Sequence, residues 1–173
     1  KRIDAAQAFG TGHHETTTGC LEAIERVLKR KKPMRPIDIG TGTGILAIAV
    51  AKRRKLPVIA SDIDPLAVRI TLENARANGV AHMIVAVDAA GVDHTTIRGN
   101  APYDLIIANI LAGPLVELSP DIGRIADRGA AIVLSGLLNT QAQRIIAAYN
   151  RQGMVLKDRV VRKDWTTLIL EKA

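Results

Sequence analysis

Short apolar runs alternate with longer segments of helical period, and most boundaries carry glycine, proline, asparagine or aspartate. Residues 1–15 show no clear period and read as a lead-in or linker. From Thr16 the apolar positions Cys20, Leu21, Ile24, Val27 and Leu28 predict a helix. It exits through Lys29-Arg30-Lys31-Lys32 and stops at Pro33. The apolar run opening residues 36–46 predicts a buried parallel strand, followed by a glycine turn and a nearly all-apolar helix over about 45–54. Pro57 to Asp62 is a second strand. Asp64 caps and Pro65 opens a helix with Val68, Leu72 and Ala75 on one face and Gly79 as its stop. His82 to Val87 is a third strand, Asp88 to Pro102 a polar loop, and Tyr103 to Ala108 a fourth strand.

Past Asn109 a helical region carries Leu115, Leu118, Ile122 and Ile125 on one face, and Pro120 is expected to break or restart it. Ala130 to Ser135 is a fifth strand. A helix over about Thr140 to Arg151, with Ala142, Ile145, Ile146 and Tyr149 inward, ends at Gly153. The last two runs, Met154 to Val161 and Trp165 to Glu171, predict a hairpin. Repeated strand–helix alternation specifies an α/β, doubly wound, mostly parallel seven-stranded sheet, its final hairpin antiparallel. The 173 residues suffice for one domain spanning 1–173, burying about 70% of its unfolded surface.

Composition narrows the function classes. Aromatic residues are 2% of the chain: Phe9, Tyr103, Tyr149 and Trp165. The core is therefore aliphatic, a bound adenine would lie against Ile, Val or Leu, and base-stacking platforms for single-stranded nucleic acid are disfavoured. One cysteine, Cys20, excludes an internal disulfide and a cysteine zinc site. Adjacent His13 and His14 point to different sides of an extended chain, so no metal site is expected. The lack of a secretory signal and of a membrane-length apolar run predicts a soluble, cytoplasmic protein without a membrane partner. Net charge is +7. The run 29–32 reads either as a solvated helix end favoured by the macrodipole or as contact with RNA or an acidic protein face.

The chemistry centres on Gly40-Thr41-Gly42-Thr43-Gly44, preceded by Asp38. A dinucleotide fingerprint needs a third glycine at position 45, which is Ile45. An acid beside the turn disfavours a pyrophosphate and suits an ammonium-bearing ligand without phosphate, such as S-adenosylmethionine. The glycines allow a ligand to lie close across the strand end. Asp62, 22 residues after Gly40, ends a strand and can accept hydrogen bonds from a ribose diol. Ile63 reads either as an apolar wall for the base or as a core residue, and Asp88 either as a partner for an adenine amine or as a plain loop acid. Asn109, ending an all-apolar strand, either caps the next helix or faces a ligand.

Two blocks add to this: Phe9-Gly10-Thr11-Gly12-His13-His14-Glu15-Thr16-Thr17 and Ala108-Asn109-Ile110-Leu111-Ala112-Gly113-Pro114-Leu115. With the glycine turn and Asp62 they resemble the Rossmann-like S-adenosylmethionine-dependent methyltransferases. Within these they resemble the ribosomal protein L-eleven methyltransferase (PrmA) family, whose usual forms are F-G-T-G-x-H-x-T-T and A-N-I-L-A-G-P-L. His13 replaces the usual Thr, Glu15 the usual Pro, and Thr41 and Thr43 the common Cys and Ser. The resemblance implies a catalytic domain. In it Thr17, Gly40, Asp62 and Asn109 would contact S-adenosylmethionine, with Asn109 also facing the acceptor; the reading of the residues adds Gly42, Gly44, Ile63 and Asp88 to the cofactor contacts. It implies N-methylation of lysine side chains and the α-amine of ribosomal protein L-eleven, free or on the ribosome, by a monomer. Ribosomal RNA would meet the basic surface. The family's N-terminal docking domain is expected to lie outside this chain.

Other functions stay open at the level of residues. A nicotinamide oxidoreductase would bind NAD, a non-catalytic RNA-associated module would transfer no methyl group, and a related methyltransferase would act on another protein or a small-molecule amine.

Overall fold

The computed structural model describes residues 5–173, with side chains from residue 12 onward. Residues 1–4 and the side chains of Phe9 and Thr11, part of the first block above, lie outside the described residues. Seven strands form one sheet: β1 (Pro36–Ile39), β2 (Val58–Asp62), β3 (Ile84–Asp88), β4 (Tyr103–Asn109), β5 (Ala126–Leu138), β6 (Met154–Arg162) and β7 (Trp165–Lys172). Their order is β3-β2-β1-β4-β5-β7-β6. The first five strands pair in parallel, and β7 lies antiparallel between β5 and β6. The final hairpin and the antiparallel last strand match the sequence expectation.

Helices cover both faces. On one, α1 (Ala5–Leu28), α2 (Ile45–Arg54) and α3 (Pro65–Ala77) pack on Val58, Ala60, Leu105, Ile107, Ala131 and Val133. On the other, the short α4 (Thr95–Gly99), α5 (Ala112–Ile125) and α6 (Ala142–Asn150) pack on Ile37, Ile39, Ile106, Ile132, Leu134 and Leu168. Alternate residues of each strand thus serve opposite cores, which is why the central strands read as continuous apolar runs.

Three expectations need correction. The lead-in is not unstructured: α1 starts at Ala5, eleven residues ahead of Thr16. Its early turns are alanine-rich, and alanine is the strongest helix former. Glycines at 10, 12 and 19 hid that signal. At Gly12 and Gly19 they serve packing, because an added Cβ would lie 2.1 Å from the Trp165 indole and 2.9 Å from Thr167 Oγ1, respectively. The loop 88–102 contains α4, where His94 Nδ1 accepts the Thr96 amide at 3.0 Å and the buried Tyr103 hydroxyl donates to Ile97 O at 2.7 Å. Pro120 does not interrupt α5. A helix-interior proline leaves the carbonyl four residues back without its amide. Here that carbonyl, Val116 O, accepts the Ser119 hydroxyl at 2.8 Å.

Candidate active site

Strand β1 has β2 on one side and β4 on the other, so the winding reverses between β1 and β4. At such a switch point the loops leaving the strand ends part and open a crevice. A cleft of about 820 Å³ lies there, walled by α1, the loops after β1, β2, β3 and β4, and one side of α5.

The glycine turn forms the floor, and its three glycines have separate causes. Gly40 has φ +70°, and a Cβ there would lie 2.4 Å from Ile110 Cγ2, so the turn and the β4 loop touch through it. Gly42, at φ +60°, has open space where a Cβ would project and lines the cleft. Gly44 caps α2 at φ +83° and sits against Thr71, 2.7 Å from a would-be Cβ. It does not line the cleft; what it meets is Thr71 of the neighbouring helix.

Neighbours hold the turn in place. The Asp62 carboxylate accepts the Gly42 amide at 2.9 Å through Oδ2 and the Asp64 amide at 3.0 Å through Oδ1. The Thr41 amide donates to Ser61 O, the Thr71 hydroxyl to Gly42 O and the Asn74 amide to Thr43 O. Asp62 therefore orients the loop while lining the cleft, with lone pairs left for a ligand's hydroxyls. Beneath lies Asp38, fully buried, with Oδ2 accepting the Thr41 hydroxyl at 2.8 Å. Burial pushes its pKa up to about 7. The hydrogen bonds from Thr41 and the Ala47 backbone partly oppose this, and the nearby charge of Asp62 adds to it.

Asn109 ends β4 beside Ser135 of β5 and lines the cleft. Helix α1 brings Thr17 to the same wall. The buried Ser135 hydroxyl donates to Thr16 O at 3.2 Å, which fixes that turn of α1 on the sheet. Glu15 binds Arg162 at 3.0 Å and Lys163 at 3.4 Å, and the Arg162 hydrogen bond holds its carboxyl below the usual range. Glu15, where the family usually has proline, thus ties α1 to the β6–β7 turn.

Among the described residues, four buried side-chain atoms have no hydrogen-bond partner: Thr17 Oγ1, Ser61 Oγ, Asn109 Oδ1 and Asp38 Oδ1. The first three belong to cleft residues and the fourth to the residue under the glycine turn. Leaving such an atom unpaired costs about 1–3 kcal/mol, so their gathering at one end of the sheet makes the cleft the candidate ligand site.

Of the other residues read from sequence, Ile63 lines the cleft and is 73% exposed, an apolar surface with nothing of the protein over it. Asp88 stands in register with Asp62 at the end of β3, exposed, but the next residues, Ala89, Ala90 and Gly91, form the wall. Sequence reading missed Ser61, though a polar residue closing an apolar strand is the signal that picked out Asn109. It also missed the cleft side of α5. Pro114, Glu117, Leu118 and Asp121 fall at helical spacing on the cleft, whereas Leu115, Ile122 and Ile125 face the core. Leu118, expected on the core face, lies at the boundary and lines the cleft.

Comparison with known proteins agrees with this geometry. A family model described as "Ribosomal protein L11 methyltransferase (PrmA)" matches residues 2–173. The ribosomal protein L11 methyltransferase of Brucella suis (strain ATCC 23445 / NCTC 10510) is 47% identical over 169 residues. Those residues are 98% of this chain but 59% of that protein, so the chain spans about three-fifths of its relative. The crystal structure of ribosomal protein L11 methylase from Lactobacillus delbrueckii subsp. bulgaricus superposes with a TM-score of 0.83 at 30% identity, covering 92% of this chain and 80% of that one. An RNA methyltransferase from Salinibacter ruber, in complex with S-adenosyl-L-homocysteine, shares the fold at 15% identity, with a TM-score of 0.68 over 87% of this chain and 88% of its own. The glycine turn, the strand-end polar residues and these matches place the chain in the ribosomal protein L11 methyltransferase (PrmA) family.

Proposed function

We propose that the cleft binds S-adenosylmethionine and that the chain is the catalytic domain of a protein N-methyltransferase acting on amines of ribosomal protein L11. The observation that carries this is the set of unpartnered atoms Thr17 Oγ1, Ser61 Oγ and Asn109 Oδ1 around a glycine turn backed by Asp62. The residues fit a nucleoside carrying an amino-acid tail. Asp62 accepts the ribose hydroxyls, Ile63 and Ala89 offer apolar walls to the base, Asp88 at the rim accepts its exocyclic amine, and Thr17 faces the tail. With Ile45 lining the wall where a dinucleotide fingerprint has its third glycine, NAD is the poorer match. When bound, S-adenosylmethionine supplies a methyl group activated by positive sulfur for transfer to nitrogen.

The protein's part is chiefly positioning. An acceptor amine must be neutral, which for a lysine with a pKa near 10.4 takes about 4.6 kcal/mol at pH 7 and for an α-amine roughly 1 kcal/mol. Asn109 Oδ1, unpartnered at the end of β4, accepts an N–H of the neutral amine and aims its lone pair across the cleft. Asp62, Glu117 and Asp121 line the same cleft and draw in a positively charged substrate segment. The reading includes L11 met free or on the ribosome, contact of the basic surface with ribosomal RNA, a monomeric enzyme and a cytoplasmic location.

The test is transfer of label from methyl-labelled S-adenosylmethionine to methylation-deficient ribosomes by the full-length protein. Label in the L11 band is the expected result. Label in another band, or in none, overturns the substrate assignment.

A further inference from the structure

Two basic runs that lie apart in sequence meet at the end of the molecule opposite the cleft. Helix α1 has His13 and Thr17 at the cleft and finishes at Leu28, leading into Lys29, Arg30, Lys31, Lys32 and Arg35. Helix α2 starts beside the glycine turn and finishes through Lys52, Arg53 and Arg54, with Lys55 as its cap at φ +56°. The runs touch: Arg54 donates to Pro33 O at 3.0 Å, and Arg53 pairs with Glu25 of α1 at 3.2 Å. Ten helical residues separate this pole from the cleft, roughly 15 Å.

Residues 29–35 and 52–55 hold nine of the 24 basic residues and none of the 17 acidic ones. The rest of the chain, with fifteen basic against seventeen acidic residues, is slightly negative. The two adjoining runs therefore carry more positive charge than the chain's net +7. Helix dipoles favour a cation or two at each C-terminus. They do not account for nine cations in two adjoining runs, whose mutual repulsion a covering polyanion would relieve. Local acids are already committed: Glu25 to Arg53, Glu171 to Lys31, and Asp104 to the backbone amides of Met34 and Arg35. The side chains of Lys29, Lys32 and Lys55 are exposed and make no hydrogen bond or ion pair among the described residues.

We infer that this pole is a docking surface for the phosphate backbone of double-stranded RNA, which holds the chain from behind and leaves the cleft facing away. Tyr103 and Tyr149 are buried and Trp165 packs on α1 at the cleft end, so none is at the pole to stack an unpaired base. Backbone contact with a duplex needs none. The choice of RNA rests on the proposed ribosomal substrate; the surface itself rests on the charge distribution.

The test is binding of a fluorescein-labelled RNA hairpin to the 173-residue chain, followed by anisotropy from about 50 to about 300 mM salt. The triple variant Lys29→Gln, Lys32→Gln, Lys55→Gln is set against a control, Arg69→Gln, Arg144→Gln, Arg159→Gln, which removes equal charge at exposed sites elsewhere. The patch variant is expected to bind at least about tenfold more weakly, with the salt slope shallower by roughly 2–3, while the control stays within about twofold. Both should bind S-adenosylhomocysteine like the wild type, which shows an intact cleft. Equal losses in the two triples, no binding by the wild type at the lowest salt, or equal displacement by polyglutamate would overturn the proposal. RNA binding without methyl transfer to L11 would leave the surface standing and remove the catalytic reading; methyl transfer without RNA binding would do the reverse.

Discussion

Single residues at the cleft carry conflicts that a bound ligand resolves. Asn109 ends an apolar strand with its oxygen unpartnered, so Asn109→Ala removes an orphan acceptor without opening the core. Turnover in methyl transfer should fall by orders of magnitude, with S-adenosylhomocysteine affinity and melting temperature nearly unchanged. Turnover close to wild type would remove the residue from the mechanism. Asp38 carries a different conflict, since burial raises its pKa from the ordinary value of 3.8 to about 7. The folded state thus holds a proton that the unfolded state releases, and stability falls as pH rises from about 4 to about 7. The loss is on the order of 4 kcal/mol at most. Asp38→Asn should flatten this slope in chemical denaturation and be more stable than wild type at pH 8; parallel profiles would contradict the assignment. Asn109 was legible in sequence because a polar side chain that closes an apolar strand needs a partner, and the apolar residues beside it supply none; Asp62 was legible as the acid that ends β2, 22 residues after Gly40. Gly44 meets Thr71 of a neighbouring helix, and spacing alone does not separate that kind of glycine from one that meets a ligand.

Elements were legible where apolar period and capping residues agreed. Helix α2 starts and ends where its pattern does, and Asp64-Pro65 opens α3 with the Leu66 amide donating to Asp64 Oδ1 at 2.9 Å. They were illegible where tertiary contact supplied what the local sequence withheld. The early turns of α1 depend on glycines that let the helix lie on Trp165 and Thr167, and α5 passes Pro120 because Ser119 takes over the stranded carbonyl. Both are long-range or side-chain compensations without a periodic signature. Gly12→Ala drives a methyl group into the indole and should lift the first turns of α1 from β7. A red shift in Trp165 fluorescence and a loss of about 1–3 kcal/mol in stability are expected. An unshifted spectrum at wild-type stability would show that the close approach carries no weight.

Over the whole molecule, seven strands and two aliphatic cores place the cleft at one end and a basic pole at the other. The alternation of elements foretold the sheet. The adjacency of the two basic runs was not legible, since it follows only once α1 and α2 lie side by side. The cleft follows from the winding reversal, which brings separate segments of the chain around one volume. We propose that this volume takes an adenosyl amino acid rather than a dinucleotide. Titration calorimetry of the chain with S-adenosylhomocysteine and, separately, with NAD discriminates between the two. One saturable site is predicted for S-adenosylhomocysteine, weakened at least about tenfold by Asp62→Ala, with no heat of binding from NAD. Saturable NAD binding, or no S-adenosylhomocysteine binding by the folded wild-type chain, would contradict that assignment.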